Sequence, residues 1–136
     1  MRRAIQSMRT ATVLGLTVAS AACGGDDAGT EPVLPTPGVL TVELATPNAT
    51  EAAVLFEITG PSVEEVDPSS AGVLLESSTS GTTTTIALFG SIQSGPIAQI
   101  TVPDTRASYT VQLQQLAGPD NALRTNLQAY ELTIGE

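Results

Sequence analysis

From Gly38 to Glu136 the chain is written in short runs in which core-type and solvent-type side chains alternate. Leu40, Val42 and Leu44 alternate with Thr41 and Glu43, and Val54, Phe56 and Ile58 alternate with Leu55, Glu57 and Thr59. Successive side chains of an extended chain point to opposite sides, so each run predicts a strand with one buried face. Val73 to Glu76 and Thr82 to Phe89 predict two more, the second rich in β-branched threonine, which suits a half-solvated strand. Ala98, Ile100 and Val102 form another inward row. Tyr109, Val111 and Leu113 stand opposite Thr110, Gln112 and Gln114, and Tyr130, Leu132 and Ile134 close the chain. Pro47-Asn48, Gly60-Pro61, Asp67-Pro68, Ser80-Gly81, Ser94-Gly95-Pro96, Pro103-Asp104 and Gly118-Pro119-Asp120-Asn121 separate the runs as turns. Asn121 to Leu127 has room for one helical turn, and no stretch predicts a helix of three turns.

Short strands at this spacing predict an all-β domain over residues 38–136, an antiparallel β-sandwich of about 7 to 9 strands. No internal repeat points to a solenoid or a propeller. The single cysteine leaves no internal disulfide, so packing of the two inner faces must hold the domain together.

The first residues follow a different pattern. Arg2, Arg3 and Arg9 make a positive head, Ala11 to Ala22 is uncharged and mostly apolar, and small residues lead to Cys23. A run this short and this rich in Ala and Thr predicts an export signal over residues 1–22, in helical form, and not a membrane span. Ser20-Ala21-Ala22-Cys23 resembles the lipobox of bacterial lipoproteins. That resemblance implies lipid on the sulfur of Cys23, a membrane partner held through that lipid, and an exported protein facing the periplasm or the cell surface. Ordinary signal cleavage after Ala19-Ser20-Ala21 is the other reading, and it would leave Cys23 as a lone thiol in an oxidising compartment. Residues 23–37 read as a disordered tether, flexible through Gly24 to Gly29 and stiffer across Pro32, Pro35 and Pro37.

A second resemblance covers most of the domain. The run Val54 to Val66, an alternating strand followed by a corner and a hydrophobic pair, is similar to the cohesin rhythm. Gly95-Pro96-Ile97-Ala98-Gln99-Ile100-Thr101-Val102 resembles the strand that cohesins and related carbohydrate-binding modules write as Gly, a small pair and alternating apolar residues. The resemblance implies a cohesin-like or immunoglobulin-like sandwich and a binding role.

Charge and chemistry narrow the function classes. The chain has 14 acidic and 5 basic residues, and three of its arginines lie in the signal. Phosphate backbones need a concentrated basic surface, so a nucleic-acid partner is excluded. There is no His, and the one Cys sits at the processing site, so Ser-His-Asp, Cys-His and His-rich metal sites are absent. Glu64, Glu65 and Asp67 cluster after a turn, where solvated carboxylates lack the buried setting that a catalytic acid needs. No enzymatic activity and no cofactor are expected. The one metal candidate is Ca²⁺, on the loop oxygens of Asp67, Asp104, Asp120 and Asn121, although no contiguous ligand ladder joins them.

Two binding roles remain. The chain reads as a tethered module for protein interaction or surface assembly, using the Gly81–Phe89 strand as a sheet face or edge where consecutive threonines offer a flat polar surface. The alternative is a carbohydrate-binding module of the cell envelope using the same face. The candidate face is Thr83, Thr85, Phe89, Gln112 and Gln114, with an unknown protein or glycan as its partner. Phe89 is either a surface aromatic or an edge-strand core residue beside Gly90. Tyr109 at a strand start resembles a tyrosine corner, and Asn48-Ala49-Thr50 is a formal glycosylation sequon read as a turn.

Overall fold

The computed structural model describes residues 31–136, so the signal, Cys23 and the first part of the tether lie outside the described residues. Eight strands are found among the described residues: β1 (Gly38–Ala45), β2 (Glu51–Thr59), β3 (Glu65–Pro68), β4 (Leu74–Ser80), β5 (Thr83–Ile92), β6 (Gly95–Val102), β7 (Thr110–Ala117) and β8 (Glu131–Gly135). They make two antiparallel four-stranded sheets, a first in the order β3-β6-β1-β8 and a second in the order β4-β5-β2-β7. Only the β4–β5 hairpin joins sequential strands within one sheet; each other connection crosses between the sheets. Gly81 takes φ 60 at the first central position of that hairpin, where a tight turn needs positive φ and glycine adopts it without strain.

The alternating rows meet between the sheets. Leu40, Val42, Leu44, Ala98, Ile100 and Val102 face inward from the first sheet, and Val54, Phe56, Ile58, Ile86, Leu88 and Leu116 from the second. All are buried, with Phe56 fully enclosed, so the chain is an all-β sandwich built on one hydrophobic core. Half-buried Tyr109, Val111, Leu113, Tyr130, Leu132 and Ile134 pack against it. Among the described residues the unit Val33–Glu136 contains the whole of the core, so a fragment of residues 31–136 is expected to fold by itself.

Five details differ from the alternation. Glu65, Val66, Asp67 and Pro68 form β3, not a turn; the strand has one packed apolar residue, too few to show a period, and its edge position tolerates proline. A register irregularity between Val42 and Glu43 lets both Ile97 and Ala98 turn inward. β5 runs on to Ile92 through an irregularity at Gly90, whose φ is 146. The short helical turn is a 3-10 turn at Leu127–Ala129, starting on the last residue of the expected stretch Asn121 to Leu127. Tyr109 precedes β7 and donates its hydroxyl to the Ser62 carbonyl at 3.4 Å, which ties two distant loops together where a tyrosine corner would bond locally.

The last tether residues are bound to the domain. Thr36 N–H donates to Asp104 Oδ1 at 3.0 Å, Thr105 N–H donates to the Thr36 carbonyl at 2.8 Å, and the Arg106 guanidinium donates to the Leu34 carbonyl.

Candidate functional site

Pairing register arranges the outer face of the second sheet in four lateral rows. Side chains directly opposite each other on neighbouring strands share a face. The first row runs Leu74, Phe89, Ala53 and Ala117 across β4, β5, β2 and β7, and continues to Leu123 through a bridge from Ala117. The second is Glu76, Ala87, Leu55 and Gln115. The third is Ser78, Thr85, Glu57 and Gln112, and the fourth is Ser80, Thr83, Thr59 and Thr110. The face thus grades from apolar at one end to polar at the other.

The apolar end is concave. Ala53, Ala87 and Ala117 are short, while Phe89 and Leu123 stand at its sides, leaving an open trough of about 280 Å³ that Leu55 and Gln115 also line. Leu74, Phe89 and Leu123 are 72%, 46% and 63% exposed. The outer face of the first sheet carries no comparable apolar row: its exposed side chains on β1, β3, β6 and β8 are mainly Glu, Asp, Thr, Gln and Pro, with Val39 the one large apolar group among them, and its open hollow beside Glu43, Ala45, Glu131 and Thr133 is edged by carboxylates.

All five residues expected to form a binding face lie on this surface. Thr83, Thr85, Phe89 and Gln112 occupy the rows, and Gln114 falls at the irregularity between Leu55 and Phe56. Its Nε2 donates to Glu57 Oε2 at 3.0 Å. Two expectations about the threonine run need correction. β5 lies between β4 and β2, so it is an interior strand and not an edge. Thr84 is buried and bonds Thr79 through the two hydroxyls at 2.9 Å, so Thr83 and Thr85 are the strand's threonines on the outer face, with Thr82 in the turn. Phe89 is a surface aromatic, because its row faces away from the core that Ile86 and Leu88 enter.

The alternation also held unread signals of the trough. Val54-Leu55-Phe56 and Leu74-Leu75 each place an apolar residue in the outward phase. Leu123 had no such signal, since it follows a turn and reaches the face only through the bridge to Ala117.

A buried polar cluster fixes that wall. Glu51 is fully buried, and its carboxylate accepts from Thr46 Oγ1 at 2.9 Å, Asn48 Nδ2 at 2.8 Å and Arg124 Nε at 3.0 Å. Asn48 Nδ2 also donates to the Tyr130 hydroxyl at 2.8 Å, so the exposed sequon residue has its amide engaged in intramolecular hydrogen bonds. Burial by itself raises the Glu51 pKa, but the hydrogen bonds from Asn48, Thr46 and Arg124, with the Arg124 charge, outweigh it and hold the carboxyl below its ordinary value. Arg124 N–H donates to the Leu116 carbonyl at 2.8 Å, and the guanidinium packs on Gly118, where any Cβ would collide with it. The residue next to Leu123 is therefore anchored on both its backbone and its side chain.

The face is acidic. Glu57 and Glu76 lie on it, and none of its four strands contains a basic residue. Arg124 is paired with Glu51, and Arg106 lies 3.7 Å from Asp104.

The four calcium candidates are dispersed. Asp67 lies on β3 and not in a loop. Asp104 accepts from the Thr36 and Arg106 N–H groups; the Thr36 bond is the main cause holding its pKa below the ordinary value. Asp120 accepts from Ala122 N–H at 3.3 Å, and Asn121, with φ 59, completes that turn. Among the described residues no group of three or more His, Cys, Asp or Glu converges as metal ligands. Glu64, Glu65 and Asp67 are exposed.

No family model, no curated protein and no solved structure matches this chain.

Proposed function

We propose that this is an exported, lipid-anchored and non-enzymatic module that acts by binding a protein partner through the outer face of the second sheet. The observation that carries the reading is the lateral row Leu74, Phe89, Ala53, Ala117 and Leu123, an apolar strip with three exposed large side chains that lines a trough at one end of this face. Contiguous exposed apolar surface on a soluble domain marks an interaction site. The positive head, apolar run and Ser20-Ala21-Ala22-Cys23 support the export and the anchor. Phe89 next to the Thr83, Thr85 and Gln112 rows supports a second reading, glycan binding, in which one aromatic stacks on a sugar ring among polar neighbours.

The test is affinity capture from envelope and secreted extract on immobilised residues 31–136, comparing the wild type with Phe89→Ser. One protein, competed by free domain and lost with Phe89→Ser, supports the reading. Retention of polysaccharide alone moves the function to glycan binding, and capture indifferent to the substitution overturns the assignment of this face. For the anchor, the full chain with Cys23→Ser is expected in the soluble fraction; continued membrane association would refute lipidation at that residue.

A further inference from the structure

The charge pattern around the trough specifies its occupant more narrowly, and the inference rests on the binding-module reading above. Small side chains floor the trough, and Phe89 and Leu123 flank it, so it accepts an apolar side chain. The row next to the apolar strip contains Glu76 and Leu55, and Glu57 stands one row further along β2. Glu57 receives hydrogen bonds from Gln114 at 3.0 Å and Thr85 at 3.5 Å, which hold its carboxylate on the face. No basic side chain of the sheet offsets these two charges.

A second copy is a poor occupant. The chain carries 14 acidic residues and a net charge of −9, so self-association brings like charges together. An anionic lipid surface is repelled for the same reason. We propose that the trough docks a cationic protein segment, extended so that an apolar side chain enters between Phe89 and Leu123 while neighbouring Lys or Arg side chains meet Glu76 and Glu57. An extended segment leaves its side chains free along the face, so one can enter the trough while long basic side chains beside it reach Glu76 and Glu57. Complementary charge then supplies selectivity and encounter rate, and the apolar anchor supplies residence.

The test uses isotopically labelled residues 31–136 and a synthetic eight-residue peptide of alternating Leu and Lys. Two control peptides replace Lys by Glu or Leu by Ser. Saturable shifts are expected at the amides of Ala53, Leu55, Ala87, Phe89, Ala117 and Leu123, weakening with added salt. The double variant Glu57→Gln/Glu76→Gln should bind about tenfold more weakly, the size expected when two solvent-screened charge contacts are lost. Phe89→Ser should weaken it too, and the circular dichroism of each variant should match the wild type.

Equal binding of the Glu peptide, binding unchanged in the double-glutamine variant, or shifts confined to another surface would overturn the proposal. So would dimers formed through this face by sedimentation, or binding to anionic vesicles. A natural partner lost with Phe89→Ser but indifferent to the glutamine pair would remove this inference while leaving the binding-module reading intact. Capture indifferent to Phe89→Ser would remove both.

Discussion

At the scale of single residues, Glu51 shows how a charge survives inside a small sandwich. Simple alternation along β2 turns Ala52 inward, yet the irregularity between Glu51 and Ala53 brings the glutamate into the interior. It is stable there because three donors, one of them charged, replace water. Removing Arg124 leaves that charge without its ionic partner, so Arg124→Ala should destabilise the domain, read as a lower midpoint in urea unfolding. The pH dependence follows from the depressed pKa. In the unfolded chain Glu51 titrates near 4.5, and in the fold it titrates lower. Its contribution is complete above that unfolded value and is lost as the pH falls through the folded one. The stability difference between wild type and Glu51→Gln should therefore shrink as the pH is lowered from 6 through this range, and a constant difference would contradict the network. Phe56, fully buried at the centre of β2, has the simpler role of filling volume. Phe56→Ala should cost about 3 to 5 kcal/mol, and a near-neutral result would refute the inward assignment of its row.

At the scale of elements, the contacts between strand ends matter as much as the strands. The Tyr109 ring lies over Gly60, so close that a Cβ there would stand 2.5 Å from Cδ1 and 3.0 Å from the Ser108 carbonyl oxygen. This packing closes the end of β2 against the start of β7 and explains glycine at that corner. Gly60→Ala should destabilise by about 1 to 3 kcal/mol, because the ring must shift away from the backbone. In combination with Tyr109→Ala the penalty should shrink, and a double-mutant cycle reads that coupling. The hydroxyl of Tyr109 ionises with more difficulty than an ordinary phenol, through burial first and then the negative charges of Asp104 and Glu64. An ultraviolet alkaline titration should accordingly show Tyr109 ionising above 10.0.

At the scale of the whole molecule, the crossing connections dominate. Because β4–β5 alone pairs sequential neighbours, nearly every ladder forms between distant segments. Such topologies fold in about milliseconds to seconds, and stopped-flow refolding of residues 31–136 should fall there and not in the microsecond range. The all-β class and the inward rows of β1, β2, β6 and β8 were legible in the sequence, because a period of two in apolar residues is a local property that burial then enforces. β3 was not legible, since four residues with one packed valine carry no period. Ile97 and Glu51 escaped because irregular pairing reverses the phase locally, and pairing partners lie far away in the chain. The outer-face rows belong to the same class. Thr83, Thr85, Phe89, Gln112 and Gln114 could be named as outward residues one strand at a time. That Phe89 aligns with Leu74, Ala53, Ala117 and Leu123, and that Glu57 and Glu76 flank the resulting trough, depends on register between four strands. The sequence by itself determined which residues face in or out wherever pairing is regular, together with the acidic charge of the domain. Only the tertiary structure decided which outward residues become neighbours, because all but one ladder joins strands distant in the chain, where no connecting turn fixes the register and the packing of both buried faces must do so.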